Sequence, residues 1–127
     1  MKKTFLTSII TLIAVLCILG CTTGSYTFIN SNENSESEFW NASYDKFNGY
    51  KQREITISGE GDHAFTVEIV TNSGKLGLSI EDDDGKSLYN GNELPSSSFE
   101  VIANGEGKYT IRLDADNHNG GFDIKWE

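Results

Sequence analysis

The alternation of apolar and polar residues from Lys51 to Trp126 constrains the fold of this chain more than any other feature. Successive side chains of a β-strand point to opposite faces, so each alternating segment predicts a strand with one buried and one exposed face. Such strands are typical of antiparallel sheets packed face to face. The alternating apolar positions are Ile55/Ile57, Phe65/Val67/Ile69, Leu76/Leu78/Ile80, Phe99/Val101, Tyr109/Ile111/Leu113/Ala115 and Phe122/Ile124/Trp126.

Turn-forming residues separate these segments at intervals of about ten residues. Asn72–Gly74 is predicted to be a hairpin turn with Gly74 in the left-handed position, and Asp116–Gly120 is predicted to close the last hairpin. Asp82–Gly85 and Asn104–Gly107 are two further predicted turns. The pattern therefore predicts an all-β fold, a single antiparallel β-sandwich of about seven to eight strands.

The first twenty residues have the pattern of a secretory signal peptide. Lys2 and Lys3 form a short basic start, and an apolar run from Phe5 to Leu19 follows. This run is shorter than the roughly 20 apolar residues that a membrane-spanning helix needs, and a basic start before a short apolar run is typical of a cleaved signal. We expect residues 1–20 to be removed on export.

Both cysteines of the chain, Cys17 and Cys21, lie in or directly after this apolar run. A disulfide would require both to survive processing, and neither has a basic neighbour that would activate its thiolate. A metal site needs more ligands than two thiols, and the first thirty residues contain no His, Asp or Glu. A lipid anchor is the alternative that remains.

The stretch Ile18-Leu19-Gly20-Cys21 resembles the lipobox of bacterial lipoproteins, in which an aliphatic residue, a tolerated residue and a small residue precede the cysteine. The resemblance implies that cleavage after Gly20 leaves Cys21 as the first residue, with a thioether-linked diacylglycerol. Two or more acyl chains contribute about 0.8 kcal/mol per buried CH₂, which gives stable attachment. The expected location is the extracytoplasmic face of a bacterial cell membrane or envelope.

The segment from Cys21 onward has room for one small domain. Loss of Lys2 and Lys3 leaves 8 of the 10 basic residues against 19 acidic ones, a net charge of −11. Such a surface repels phosphate backbones, so nucleic acid is not an expected partner. Residues 21–38 are rich in Ser, Asn, Thr and Glu, which predicts the lipidated cysteine followed by a flexible tether, and residues 39–127 are the predicted sandwich.

The stretches "SIEDDDGKSLY", "FEVIANGEGKYTIRL" and "NGGFDIKW" are similar to those of the pre-peptidase C-terminal and GOLD-type β-sandwiches of bacterial surface proteins. The resemblance implies a non-catalytic domain of jelly-roll type without defined ligand residues. The sequence also contains no G-x-S-x-G elbow, H-E-x-x-H pair or phosphate-binding loop. An enzyme is therefore not expected, nor is a cofactor.

Two groups of residues are candidate metal ligands. Asp82, Asp83 and Asp84 offer oxygen ligands for Ca²⁺, but their spacing does not fit an EF-hand loop, so a solvated turn in which Asp caps its own backbone is favoured. His63 and His118, each near aspartates, offer ligands for a transition metal. Loop histidines in water are the favoured interpretation of both.

Trp40 and Tyr44 are candidate ligand contacts, because they belong to an aromatic cluster that does not alternate cleanly. If exposed, these rings could stack on a carbohydrate or contact a protein partner. The alternative is a first edge strand that packs on the core. The sequence thus favours a lipid-anchored binding or interaction module; the alternative is a structural or accessory envelope protein, or a small inhibitor, without a ligand site of its own.

We predict that Cys21→Ser abolishes lipidation and leaves the protein unprocessed or released, whereas Cys17→Ser changes little, because only Cys21 follows the small residue of the motif. Incorporation of radiolabelled palmitate measures the difference. Equal labelling of the wild type and Cys21→Ser would contradict the anchor.

Overall fold

The computed structural model describes residues 22–126, which form seven antiparallel strands and no helix. The strands are β1 (Thr22–Ile29), β2 (Asn32–Ser35), β3 (Phe39–Ile57), β4 (His63–Asp82), β5 (Ser87–Gly91), β6 (Ser97–Ala103) and β7 (Gly107–Trp126). The predicted signal peptide and Cys21 lie outside the described residues. Within residues 22–126, no helix is long and apolar enough to cross a membrane.

Three long strands, β3, β4 and β7, run through the whole fold and change register near their middles. The shifts fall between Tyr44 and Gly49 on β3 and between Thr71 and Lys75 on β4. On one side of the shifts, β2 and β6 flank the long strands, and on the other side β1 and β5 flank them. We call the half flanked by β2 and β6 layer A and the half flanked by β1 and β5 layer B.

The two layers face each other because the long strands fold back at these shifts. Arg53 Nη1 donates to the Phe39 carbonyl at 3.0 Å, although 14 residues separate the two positions along β3. A straight strand of that length would hold them about 46 Å apart. Across the layers, the ring centroids of Phe65 and Tyr109 lie 5.5 Å apart. One folded sheet therefore forms a sandwich, and the predicted all-β class is confirmed.

The predicted hairpin turns at Asn72–Gly74 and Asp116–Gly120 are wrong, because both segments continue a strand through the fold-back. Gly74 has a φ of +75°, and a Cβ there would lie 2.0 Å from the Asn117 carbonyl oxygen. Glycine and asparagine suit a bulge that bends a strand as well as they suit a turn. The register shift therefore uses the residues that the sequence assigned to hairpins.

One apolar core fills the space between the layers. Its buried side chains are Trp40, Ala42, Tyr44, Phe47, Ile55, Ile57, Phe65, Val67, Ile69, Leu76, Leu78, Ile80, Leu94, Val101, Ala103, Tyr109, Ile111, Leu113, Phe122, Ile124 and Trp126. The predicted faces are confirmed for most of the alternating segments, whereas Phe99 and Ala115 are only partly buried. Ile111 is fully buried, and the next side chain, Arg112, is 42% exposed.

The segment predicted as a tether is part of the domain. β1 and β2 pair with opposite halves of β3, and Glu33 of β2 accepts hydrogen bonds from Lys51 Nζ at 2.6 and 2.7 Å and from Trp40 Nε1 at 2.9 Å. Lys51 is only 1% exposed. A buried ammonium without its counter-charge is strongly destabilising. The sandwich therefore begins at residue 22 rather than at residue 39.

His118 lies at the fold-back, fully buried, between Tyr44 and Thr71. Its Nδ1 is 2.7 Å from the Tyr44 hydroxyl and its Nε2 is 2.8 Å from Thr71 Oγ1, while Thr71 Oγ1 donates to the Leu94 carbonyl at 2.9 Å. Since the single Thr71 hydroxyl proton is used there, we assign His118 the neutral form with the proton on Nε2. Burial also lowers the pKa of His118.

We predict that Ile111→Ala destabilises the fold by about 2–5 kcal/mol, because it leaves a cavity in the core. Arg112→Ala should change the free energy of unfolding by no more than about 0.5 kcal/mol, because its exposed side chain packs on no core residue. Urea denaturation of both variants gives the comparison. A more damaging Arg112→Ala would contradict the assigned faces.

We predict that the fold loses stability as the pH falls below about 6.5, the ordinary histidine value, because the unfolded chain takes up a proton that folded His118 resists. The loss continues until the pH passes the lowered pKa of folded His118. Urea midpoints between pH 7.5 and pH 5 should fall more steeply for the wild type than for His118→Gln. Equal slopes for wild type and His118→Gln would refute the prediction.

Candidate functional site

Trp40 and Tyr44 are core residues, so the hypothesis that they are exposed ligand contacts is wrong. Trp40 is 0% exposed and packs edge-on against Phe122, with ring centroids 5.1 Å apart. Tyr44 is 5% exposed and stacks on Phe28 at 5.3 Å. The physical reason is that both side chains lie on the face of β3 that is turned to the core between the two layers.

The acidic turn caps its own backbone, as the sequence favoured. Asp82 Oδ1 accepts the backbone N–H groups of Asp84 at 3.0 Å and Lys86 at 2.9 Å, and Gly85 has a φ of +81°. Among residues 22–126, no group of three or more His, Cys, Asp or Glu side chains is placed to hold a metal ion. The Asp82 carboxylate is therefore committed to the turn itself.

The two histidines are not brought together. His63 is the first residue of β4, and its Nε2 lies 2.8 Å from the Gly59 carbonyl oxygen. His118 contacts Thr71, which is eight residues further along β4, or about 26 Å of extended strand. The expectation that His118 lies in water is also wrong, because the predicted loop is the buried fold-back of β7.

The outer face of each layer carries a depression that opens to solvent. Groove A, on layer A, has a volume of about 520 Å³, and its polar lining includes Asp45, Glu68, Asn72 and Asp123. The two aromatic residues along it, Tyr44 and Phe122, belong to the core. Groove A thus offers carboxylates and amides and little aromatic surface.

Groove B, on layer B, is larger, with a volume of about 720 Å³. Register places Tyr50 of β3, Asp114 of β7 and Gly77 of β4 side by side across the sheet. Gly77 has no side chain, and a Cβ there would meet Asn92 Oδ1 at 3.3 Å. The floor is therefore low at Gly77, with Tyr50 on one side and the segment of Asn92 and Glu93 on the other.

A cation and a carboxylate hold the Tyr50 side of groove B. The guanidinium carbon of Arg112 lies 4.3 Å from the Tyr50 ring centroid, a favourable cation–π distance. Arg112 also donates from Nε to Asp114 Oδ2 and from Nη2 to Asp114 Oδ1, each at 3.0 Å. The hydrogen bond to Asp114 raises the pKa of Arg112, so the guanidinium stays charged.

The opposite side is fixed by the backbone. Glu93 has a φ of +51°, a left-handed conformation that non-glycine residues rarely adopt, and it pairs with Lys75 at 3.1 Å. The next residue, Leu94, is buried and donates its N–H to the Leu76 carbonyl at 2.8 Å. Leu94 thereby ties the segment that follows β5 to β4.

Two ion pairs lie in or beside groove B, Lys75–Glu93 and Arg112–Asp114, and each pair is neutral overall. Asp116 adds a further carboxylate to the lining. Sequence reasoning predicted none of Tyr50, Asn92 and Asp114 as a ligand contact. Period-two alternation predicts an outward Tyr50 side chain only if the neighbouring Lys51 side chain is known to point inward. A lysine is not ordinarily assigned to a core face.

No protein-family model matches the chain, and no curated protein matches its sequence significantly. Among solved structures, the chain is similar to TmCBM61 in complex with β-1,4-galactotriose, at 10% identity over 85% of this chain and 87% of that chain, with a TM-score of 0.46. It is also similar to the low-affinity xylan-binding module CBM86 from Roseburia intestinalis, at 11% identity over 84% and 91% of the two chains, with a TM-score of 0.43. A family 35 carbohydrate-binding module from Clostridium thermocellum gives 12% identity over 84% and 95%, with a TM-score of 0.39. Such low identities and TM-scores assign this chain neither a family nor a ligand.

Proposed function

We propose that this protein is a lipid-anchored, extracytoplasmic and non-catalytic binding module that takes a neutral carbohydrate in groove B. The observation that carries the proposal is that the Tyr50 ring lies beside Gly77, which has no side chain to fill groove B. Asn92, Asp114 and Asp116 line the same groove. An aromatic ring offers a flat apolar surface to the C–H face of a sugar. Amide N–H groups donate hydrogen bonds to its hydroxyls, and amide and carboxylate oxygens accept hydrogen bonds from them.

Charge supports a neutral ligand over an acidic one. Lys75 and Arg112 are each neutralised by a carboxylate, and Asp116 adds negative charge to groove B. The segment that would remain after loss of Lys2 and Lys3 carries a net charge of −11, as derived above. A uronic acid or a sulfated sugar would be repelled both at long range and in the groove.

The anchor that we propose at Cys21 would hold groove B near the bilayer. The next residue, Thr22, is already part of β1 and pairs with Arg53. Tyr50 pairs with Ser25, three residues further along β1, or about 10 Å of strand. A ligand within that reach is a polysaccharide of the cell envelope or one that penetrates to the membrane surface.

A protein partner that adds a strand to β1 is the second candidate, and it would make the chain an accessory envelope protein. β1 is an outer strand without a charged residue, and it exposes Tyr26 and Ile29. Edge strands that lack charges are open to pairing with another chain.

We predict that the mature chain with Cys21→Ser is retarded in affinity gels that contain a neutral polysaccharide from a panel of galactan, xylan, mannan and glucan. Tyr50→Ala should weaken binding about tenfold or more, because aromatic side chains are prominent among the residues that contribute most to affinity. Tyr50→Phe should retain most of the affinity, because the ring remains. Isothermal titration with the matching oligosaccharide measures both affinities.

Val70→Ala, a substitution of an exposed residue in groove A, is the matched control and should leave binding unchanged. Loss of binding in Val70→Ala but not in Tyr50→Ala would move the site to groove A. Absence of retardation by every polysaccharide of the panel would refute the carbohydrate proposal, and capture of a protein along β1 would then favour the accessory role.

A further inference from the structure

The Tyr50 ring is one member of a three-residue chain of contacts on the outer face of layer B. Arg112 and Asp114 are two residues apart on β7, so their side chains leave the same face. Asp114 lies opposite Tyr50 in the strand pairing, and Arg112 lies opposite Gln52, which is two residues after Tyr50 on β3. The diagonal position places the Arg112 guanidinium over the Tyr50 ring, 4.3 Å from the centroid to the guanidinium carbon.

The Asp114 carboxylate fixes the plane of the guanidinium. The two 3.0 Å hydrogen bonds leave from different nitrogen atoms and reach different oxygen atoms, so the fork of Arg112 meets the fork of Asp114. Such bidentate pairs have a defined orientation that a lysine cannot reproduce. A guanidinium held in this way limits the positions that the Tyr50 ring can take.

Stability does not account for this arrangement. Both members of the Arg112–Asp114 pair are substantially exposed, with side-chain exposures of 42% and 56%, and exposed ion pairs contribute little to folding. The pair lies beside groove B, and Asp114 is part of its lining. The contacts of Arg112 are thus directed at the one aromatic ring of groove B rather than at the core.

We infer that Arg112 and Asp114 are positioning residues that hold the Tyr50 ring in its ligand-ready orientation. The inference rests on the proposed function, because the ligand that benefits is the carbohydrate of groove B. A ring that is already oriented loses less side-chain freedom when the ligand binds, so the affinity is higher than with a mobile ring. Arg112 acts through Tyr50 and needs no contact of its own with the ligand.

The experiment compares Arg112→Gln, Arg112→Lys and Lys108→Gln in the mature chain with Cys21→Ser. Lys108→Gln removes the same charge from the same layer and breaks the exposed Lys108–Glu54 pair instead. Arg112→Lys keeps the charge but loses the planar fork. Affinity for the oligosaccharide that the wild type binds is measured by titration, and the orientation of the ring by ¹⁹F NMR with 3-fluorotyrosine, whose Tyr50 signal is assigned from Tyr50→Phe.

We expect Arg112→Gln to weaken binding about three- to tenfold, the loss of one pre-oriented side chain, and to move the Tyr50 signal toward that of free 3-fluorotyrosine. Arg112→Lys should fall between Arg112→Gln and the wild type, and Lys108→Gln should match the wild type. An unchanged Tyr50 signal in Arg112→Gln overturns the inference. So does an affinity that Arg112→Gln and Lys108→Gln reduce equally, because that result reflects charge alone.

Failure of the inference and failure of the proposed function are separable. If Tyr50→Ala abolishes binding while Arg112→Gln changes neither affinity nor signal, the carbohydrate site stands and the positioning role is wrong. If no polysaccharide binds the wild type and the Tyr50 signal still moves in Arg112→Gln, the carbohydrate function is wrong and the positioning of the ring stands.

Discussion

The fold-back of β3, β4 and β7 is the constraint on which the rest of this structure depends. These strands are 19, 20 and 20 residues long, and a straight sheet of that length would leave its apolar face in water. Because the three strands bend at neighbouring positions, the sheet folds over and its apolar surfaces face each other. The bend requires a glycine at Gly74, where a Cβ has no room, and places His118 where its ring nitrogens reach Tyr44 and Thr71.

The same bend also creates the candidate site, because it exchanges the faces of β3. Even-numbered residues from Trp40 to Tyr44 are buried before the bend, and odd-numbered residues from Lys51 to Ile57 are buried after it. Without the register shift, the period of two would bury Tyr50 and expose Lys51. The irregularity that closes the core therefore also turns the Tyr50 ring outward to groove B.

Period-two alternation predicted most strands and their buried faces, because apolar burial acts on each residue locally. Ile111 and Arg112 illustrate this. Alternation failed where a contact is remote: Lys51 is buried because Glu33, 18 residues away, accepts its hydrogen bonds, and Arg53 is buried because backbone carbonyls of Glu36 and Phe39 accept from it. The polar composition of residues 22–38 is equally compatible with a tether and with edge strands whose outer faces are wet, so composition alone could not separate the two.

The site was missed for a related reason. Groove B combines residues from β3, β4, β7 and the segment after β5. The strand register that brings them together follows from a bend whose residues have the sequence signature of a hairpin turn. Gly77 and Asn92 have no individual signal of function, since glycine and asparagine occur in any β protein. Their significance follows only from their placement beside Tyr50.

The N-terminal strands lie between the proposed lipid anchor at Cys21 and groove B. A free tether of 16 residues would give the domain a reach of about 20–25 Å, but Thr22 already pairs with Arg53, and Glu33 provides the carboxylate that buried Lys51 requires. The rings of Tyr26 and Phe28 in β1 also lie over the Lys51 ammonium, 4.2 and 4.7 Å from Nζ to the ring centroids, so both strands take part in its burial. The segment next to Cys21 is thus part of the folded sheet, and the lipid proposed at Cys21 would fix the distance of groove B from the membrane instead of leaving it to a flexible chain.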